Sequence, residues 1–162
     1  MPMHIPKIMK KGKQTADDYC TAGNSLNRAG RYPPAMEQFK QALALDETNT
    51  EALFGMGYSC LKQGRFEEAL AWLSRLNAMN ESSVIIHYYM GVAFSGCKRY
   101  GDAIEEFDRV IALNPRLDIA YTNKAFCLIA DGEAEKGTRC MEDLERVHGR
   151  YLSRPGFFSR GG

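Results

Sequence analysis

The residues whose types could carry chemistry are three histidines, five cysteines and two glutamate pairs. A histidine can act as general base or metal ligand. Here His4 stands in an N-terminal tail, His87 in an apolar slot of a helical pattern and His148 near a helix end, so His87 reads as a packed core substitute. Cys20, Cys60, Cys97, Cys127 and Cys140 include no CxxC pair, and their spacing fits neither a zinc site nor a disulfide framework. They read as small apolar fillers in a reducing compartment. Glu67-Glu68 and Glu105-Glu106 both fall on second helices and read as a solvated helix face, not an acid/base pair. Gly55-x-Gly57 follows no strand, and there is no GxxxxGK loop, GxSxG elbow or HExxH helix. No enzyme activity, cofactor or metal is expected.

The elements behind these residues are set by a repeat of 34. Gly23, Gly57, Gly91 and Ala125 form one column, and Gly30, Gly64, Lys98 and Gly132 a second. Ala35, Ala69, Ala103 and Gly137 form another, followed by Phe39, Leu73, Phe107 and Met141. Such periodicity marks a stack of supersecondary units. Each unit reads as two helices: large residues at unit positions 4, 7 and 11 make one apolar stripe, and those at 24 and 27 a second. Small residues at positions 8 and 20 let the two helices approach, with larger ones filling the flanks. A glycine near position 15 tolerates the left-handed conformation that ends the first helix. Asp46-Glu47-Thr48-Asn49, Asn80-Glu81-Ser82-Ser83 and Asn114-Pro115 supply stops and N-caps.

The chain has 162 residues, 44% of them hydrophobic, and a net charge of +1. Residues 1–15 hold Lys7, Lys10, Lys11 and Lys13 without an acid, and residues 145–162 are also basic, which leaves −6 for residues 16–144. An acidic body does not suit nucleic acid, and the apolar runs are too short to span a membrane. The first residues contain no apolar signal core. With the reduced cysteines this points to the cytoplasm.

The columns resemble the tetratricopeptide repeat family, whose unit carries an aromatic, Leu-Gly and Tyr in its first helix, then Ala, Phe, Ala and Pro. Residues 16–49 give Tyr19, Ala22-Gly23, Leu26, Ala35 and Phe39. Residues 50–83 give Leu53, Met56-Gly57, Cys60, Ala69 and Leu73, and residues 84–117 give His87, Met90-Gly91, Phe94, Ala103, Phe107 and Pro115. Residues 118–151 diverge most, with Tyr121, Ala125, Leu128, Gly137 and Met141, and Lys124 where the family prefers leucine. The resemblance implies an all-α right-handed solenoid of four units between a flexible basic arm (1–15) and a C-terminal tail (152–162). It also implies a protein–protein interaction role, an adaptor, scaffold or chaperone-like module.

In the family the first helices line the inner wall, mainly at positions 2, 5, 9 and 12. Here these are Asp17, Cys20, Asn24 and Asn27; Glu51, Phe54, Tyr58 and Leu61; Ile85, Tyr88, Val92 and Ser95; and Ile119, Thr122, Phe126 and Ile129. A solvated face would be polar, whereas this one is largely apolar from the second unit on. Asn24, Phe54, Tyr58, Leu61, Ile85, Tyr88, Val92 and Phe126 are therefore the expected groove for an extended or helical segment of another protein. The alternative is that they pack between neighbouring first helices or lie under the chain's own tail. One family subtype clamps a C-terminal carboxylate with Lys, Asn and Arg. This chain keeps only Asn24, with Cys20, Gly55, Ile85 and Tyr89 at the other positions, so that role is not expected. Small bacterial secretion chaperones are similar in size and groove character, but usually have three units.

Two further roles stay open. Open stack ends could join copies into a scaffold, or the basic tails could tether the protein to anionic lipid or nucleic acid. The second helix of the last unit is expected from about Glu133 to Leu152, where Pro155-Gly156 stop it. Tyr151, Leu152, Phe157 and Phe158 then either fold over the stack end or groove, or leave it to a second copy.

Overall fold

The computed structural model describes residues 14–79 and 83–152. Within them the chain is all helix: α1 (Ala16–Arg28), α2 (Tyr32–Leu45), α3 (Thr50–Lys62), α4 (Phe66–Asn77), α5 (Val84–Gly96), α6 (Tyr100–Leu113), α7 (Asp118–Ala130) and α8 (Ala134–Leu152). Each helix packs on its neighbours in the chain, and α1 also meets α3, as α5 meets α7. The odd-numbered helices thus form one wall and the even-numbered ones the layer behind it.

The helices start where side chains can satisfy the free N–H groups of a first turn. Thr15 and Asp18 close a reciprocal capping box on α1, Asn49 accepts from Ala52 N at 2.9 Å to open α3, and Ser83 does the same for α5. Asn80 to Ser82 fall outside the described residues. The even helices α2, α4 and α6 lack side-chain caps, and the arginine before α4 and α6 instead pairs with an acid in the first turn: Arg65 with Glu68 and Arg99 with Asp102.

Packing within the pairs follows the glycine and aromatic columns. A methyl group at Gly23 would lie 2.7 Å from the Phe39 ring, one at Gly57 2.9 Å from Leu73, and one at Gly91 2.8 Å from Phe107. All three partners are fully buried. The last pair departs from this pattern. Met141, expected in the core, is 38% exposed and Cys140 is buried instead. There the close approach moves to Gly137, where a methyl would meet Ile129 at 2.7 Å and the Ala125 carbonyl at 3.1 Å. Lys124 reaches across to Asp108 at 2.6 Å.

The second column marks the turn between paired helices. Gly30, Gly64 and Gly132 have φ of +72°, +72° and +89°, and Lys98, in the same register, has φ of +59°. A side chain costs roughly 1 kcal/mol in that conformation relative to glycine. Lys98→Gly is therefore expected to stabilise the protein by about 1 kcal/mol in urea melts followed by the single Trp72. An unchanged midpoint would show that Lys98 is not strained.

The two ends of the stack are polar among the described residues. No large apolar side chain of α1 is exposed, and between Ala134 and Gly149 on α8 only Met141 is. The outer surface of α8 carries Glu135, Lys136, Arg139, Glu142, Glu145 and Arg146.

Candidate partner-binding wall

The wall changes character along its length. On α1 and α3 it is polar and acidic at one edge: the Asn24 amide donates to the Glu51 carboxylate, and the Asn27 side chain sits 2.8 Å from Ser59 Oγ. A cavity of about 390 Å³ opens here between Asn24, Asn27, Arg28, Glu51, Phe54 and Tyr58. On α5 and α7 the wall is uncharged, and Ile85, Ile119, Phe126 and Ile129 are about half or more exposed, Phe126 to 59%.

Between the two halves stands an aromatic cluster. Tyr89 sets its ring edge-on to Phe54 (5.3 Å) and Tyr58 (5.8 Å), while Tyr88 lies 5.3 Å from Tyr89 and 6.1 Å from Phe107. Such offset and edge contacts suit the ring quadrupoles. Burial pushes the Tyr89 hydroxyl above its ordinary pKa, with Tyr58 and Tyr88 adding to the rise. Asn123 reaches the Tyr88 hydroxyl at 3.4 Å.

The expected groove residues therefore divide. Ile85 and Phe126 are more than half exposed, and Asn24, Phe54, Tyr58, Tyr88 and Val92 are half-buried, sharing their area between neighbouring helices and solvent. Leu61 does not line the groove: it is 9% exposed and joins the core, because it follows Gly57 by one helical turn on the side facing α4. Cys20 is likewise core, with its thiol 3.3 Å from the Asn49 side-chain oxygen that caps α3. Tyr89, the link between α3 and α5, was not among the expected groove residues; its place beside Tyr88 in an apolar helix was the available signal.

The residues that could do chemistry are occupied structurally. Burial pushes the Cys20 thiol up to about 11, with the carboxylates of Glu51, Asp17 and Asp46 adding to the rise. Burial also leads the upward shifts of Cys60, Cys97, Cys127 and Cys140, so none is an activated thiolate. His87 is buried in its core slot, as expected. Its Nδ1 lies 2.7 Å from Glu106 Oε2, and Glu106 is itself buried and held by Arg109. The solvated-face reading of Glu105-Glu106 thus fails at Glu106, which turns inward with Ala103 and Val110. His148 meets Asp118 at the surface, and His4 lies outside the described residues. Among the described residues no group of histidine, cysteine and acidic side chains could hold a metal, and no helix is long and apolar enough to cross a membrane.

The tetratricopeptide repeat profile matches residues 26–84, from the last turn of α1 through α4 to the first residue of α5. Residues 26–84 are tetratricopeptide repeats. Anaphase-promoting complex subunit 3 of Schizosaccharomyces pombe is 24% identical over 129 residues; the match covers 80% of this repeat protein and 19% of that subunit, about a fifth of its length. Among solved structures, a crystal structure of MamA shares 19% identity over 86% of this chain and 81% of that one, with a TM-score of 0.79. MamA from Desulfovibrio magneticus RS-1 gives 23%, 82%, 76% and 0.75. These structures share the repeat solenoid. Such repeats serve as protein-interaction modules and are generally non-enzymatic, so this repeat protein is an interaction or scaffold module.

Proposed function

We propose that this repeat protein captures a segment of another protein on the wall formed by α1, α3, α5 and α7, as an adaptor or scaffold. The carrying observation is where large apolar side chains remain exposed: Ile85, Ile119, Phe126 and Ile129 stand together on α5 and α7, whereas Leu45, Met79, Leu113 and Met141 are scattered singly over α2, the end of α4, α6 and α8. Contiguous exposed apolar surface of this kind is typical of interaction sites. The polar outer face of α8 favours this reading over head-to-tail joining of copies, since a stack end that polymerises needs an apolar face.

Ile85 and Phe126 are better probes than the half-buried tyrosines, because removing them disturbs little packing. Ile85→Ser/Phe126→Ser is expected to keep the wild-type melting curve and to lose partners retained from lysate of the source cells, read by mass spectrometry. Loss of binding by at least about tenfold is the expectation for central apolar anchors. Equal retention by both proteins would move the site to the opposite face or the ends.

A further inference from the structure

The second residue of the first helix in each unit is Asp17, Glu51, Ile85 and Ile119, and all four are exposed. One register along one edge of the wall thus reads acid, acid, apolar, apolar. Neither Asp17 nor Glu51 has a cationic partner among the described residues; Glu51 is held only by the Asn24 amide. Beside Glu51 the cavity of about 390 Å³ is backed by Phe54 and Tyr58, whose rings stack 26° from parallel at 6.3 Å. A lysine or arginine can lay its stem or guanidinium on such a ring and bring its charge to the carboxylate. Arg28 lines the same cavity and repels a cation, so the basic residue of the occupant belongs on the Glu51 side. The raised pKa of the buried Cys20 thiol, with Glu51, Asp17 and Asp46 contributing, is consistent with negative potential at this edge.

Deepening the groove reading, on which this rests, we propose that the occupant is a segment of another protein with two basic residues followed along the stack by two large apolar residues. The basic pair lies over α1 and α3 and the apolar pair over α5 and α7. Packed helices stand about 8–10 Å apart and an extended chain rises about 3.3 Å per residue, so successive anchors are about three residues apart.

The test uses the full chain and fluorescein-labelled peptides in fluorescence anisotropy. One peptide carries two lysines and then two leucines at that spacing in an alanine–serine background. A second has glutamates for the lysines, and a third alternates lysine and leucine. The lysine–leucine block peptide is expected to bind about tenfold more tightly than either of the others, through two rim charge pairs. Asp17→Lys/Glu51→Lys is expected to reverse the preference toward the glutamate peptide, and Ile85→Ser/Phe126→Ser to weaken every peptide. Equal binding of the lysine and glutamate peptides, both lost in Ile85→Ser/Phe126→Ser, would overturn this inference and leave the groove reading standing. Lysine-peptide binding that ignores Ile85→Ser/Phe126→Ser would overturn the groove itself. Binding seen only after Lys10→Ser/Lys11→Ser/Lys13→Ser would assign the wall to the chain's own basic N-terminal segment and overturn a partner in trans. Absence of binding by any peptide to any variant would also overturn the proposal.

Discussion

Replacing His87 with leucine is expected to destabilise the protein by about 3 kcal/mol, although leucine suits the apolar slot better by size and polarity. The reason is the residue left behind. Glu106 is 5% exposed and its Oε2 sits 2.7 Å from His87 Nδ1. Removing one member of a buried hydrogen-bonded pair leaves the other without compensation, at a typical cost of about 3–5 kcal/mol. Arg109 still holds the other carboxylate oxygen from its half-exposed position, which places the expectation at the low end. His87→Leu/Glu106→Met should recover most of the loss, because both polar groups are then gone. Urea melts on Trp72 fluorescence check both numbers. A His87→Leu variant within about 0.5 kcal/mol of wild type would mean that the pair contributes nothing to stability.

The second large effect concerns Gly55. Alanine is the better helix former by about 1 kcal/mol, yet Gly55→Ala is expected to cost about 2 kcal/mol or more. Its methyl would lie 2.3 Å from the Phe39 ring. That ring has little room to retreat, because it is fully buried between Gly55 of α3 and Gly23 of α1, where an added methyl would also lie only 2.7 Å from it. Phe39→Leu in the same chain should return at least about 1 kcal/mol of the loss, a coupling a double-mutant cycle would measure. Additive effects of the two substitutions would show that the ring and Gly55 do not constrain each other.

The fold was legible because its rules are steric and repeat. Gly23 and Phe39, Gly57 and Leu73, and Gly91 and Phe107 had to face each other for paired helices to close, and they do. What stayed hidden depended on rotation about a helix axis. Adjacent residues stand about 100° apart on a helix, so one member of a pair can turn inward: Glu67 and Glu68 are both exposed, whereas Glu106 is buried beside an exposed Glu105. The run Ala103, Glu106, Phe107 and Val110 carried the inward stripe. A polar residue in the buried slot of His87 also demanded a polar partner. Leu61 was misplaced because a wall position was carried over by register from the family, while its spacing of eight from Leu53 put it in the core. Tyr58 and Tyr88 were expected on the groove, and their half-buried state depends on Tyr89 standing between α3 and α5, a contact across units.

The core is lopsided. One large buried cluster runs from Cys20 on α1 to Ala93 on α5, whereas α8 is held mainly by the small cluster of Tyr121, Ala125, Leu128 and Cys140. Segments with few buried contacts open locally at lower free energy than the rest of a fold. The part of the wall on α7, with Ile119, Phe126 and Ile129, is therefore carried by the most pliable part of the stack. A ligand seated on Phe126 must first quieten α7 and α8, and its observed affinity will be its intrinsic affinity reduced by that ordering cost. By the same linkage, occupancy will protect the last unit from opening. Recognition and completion of the fold are in this sense one equilibrium at the C-terminal end of the stack.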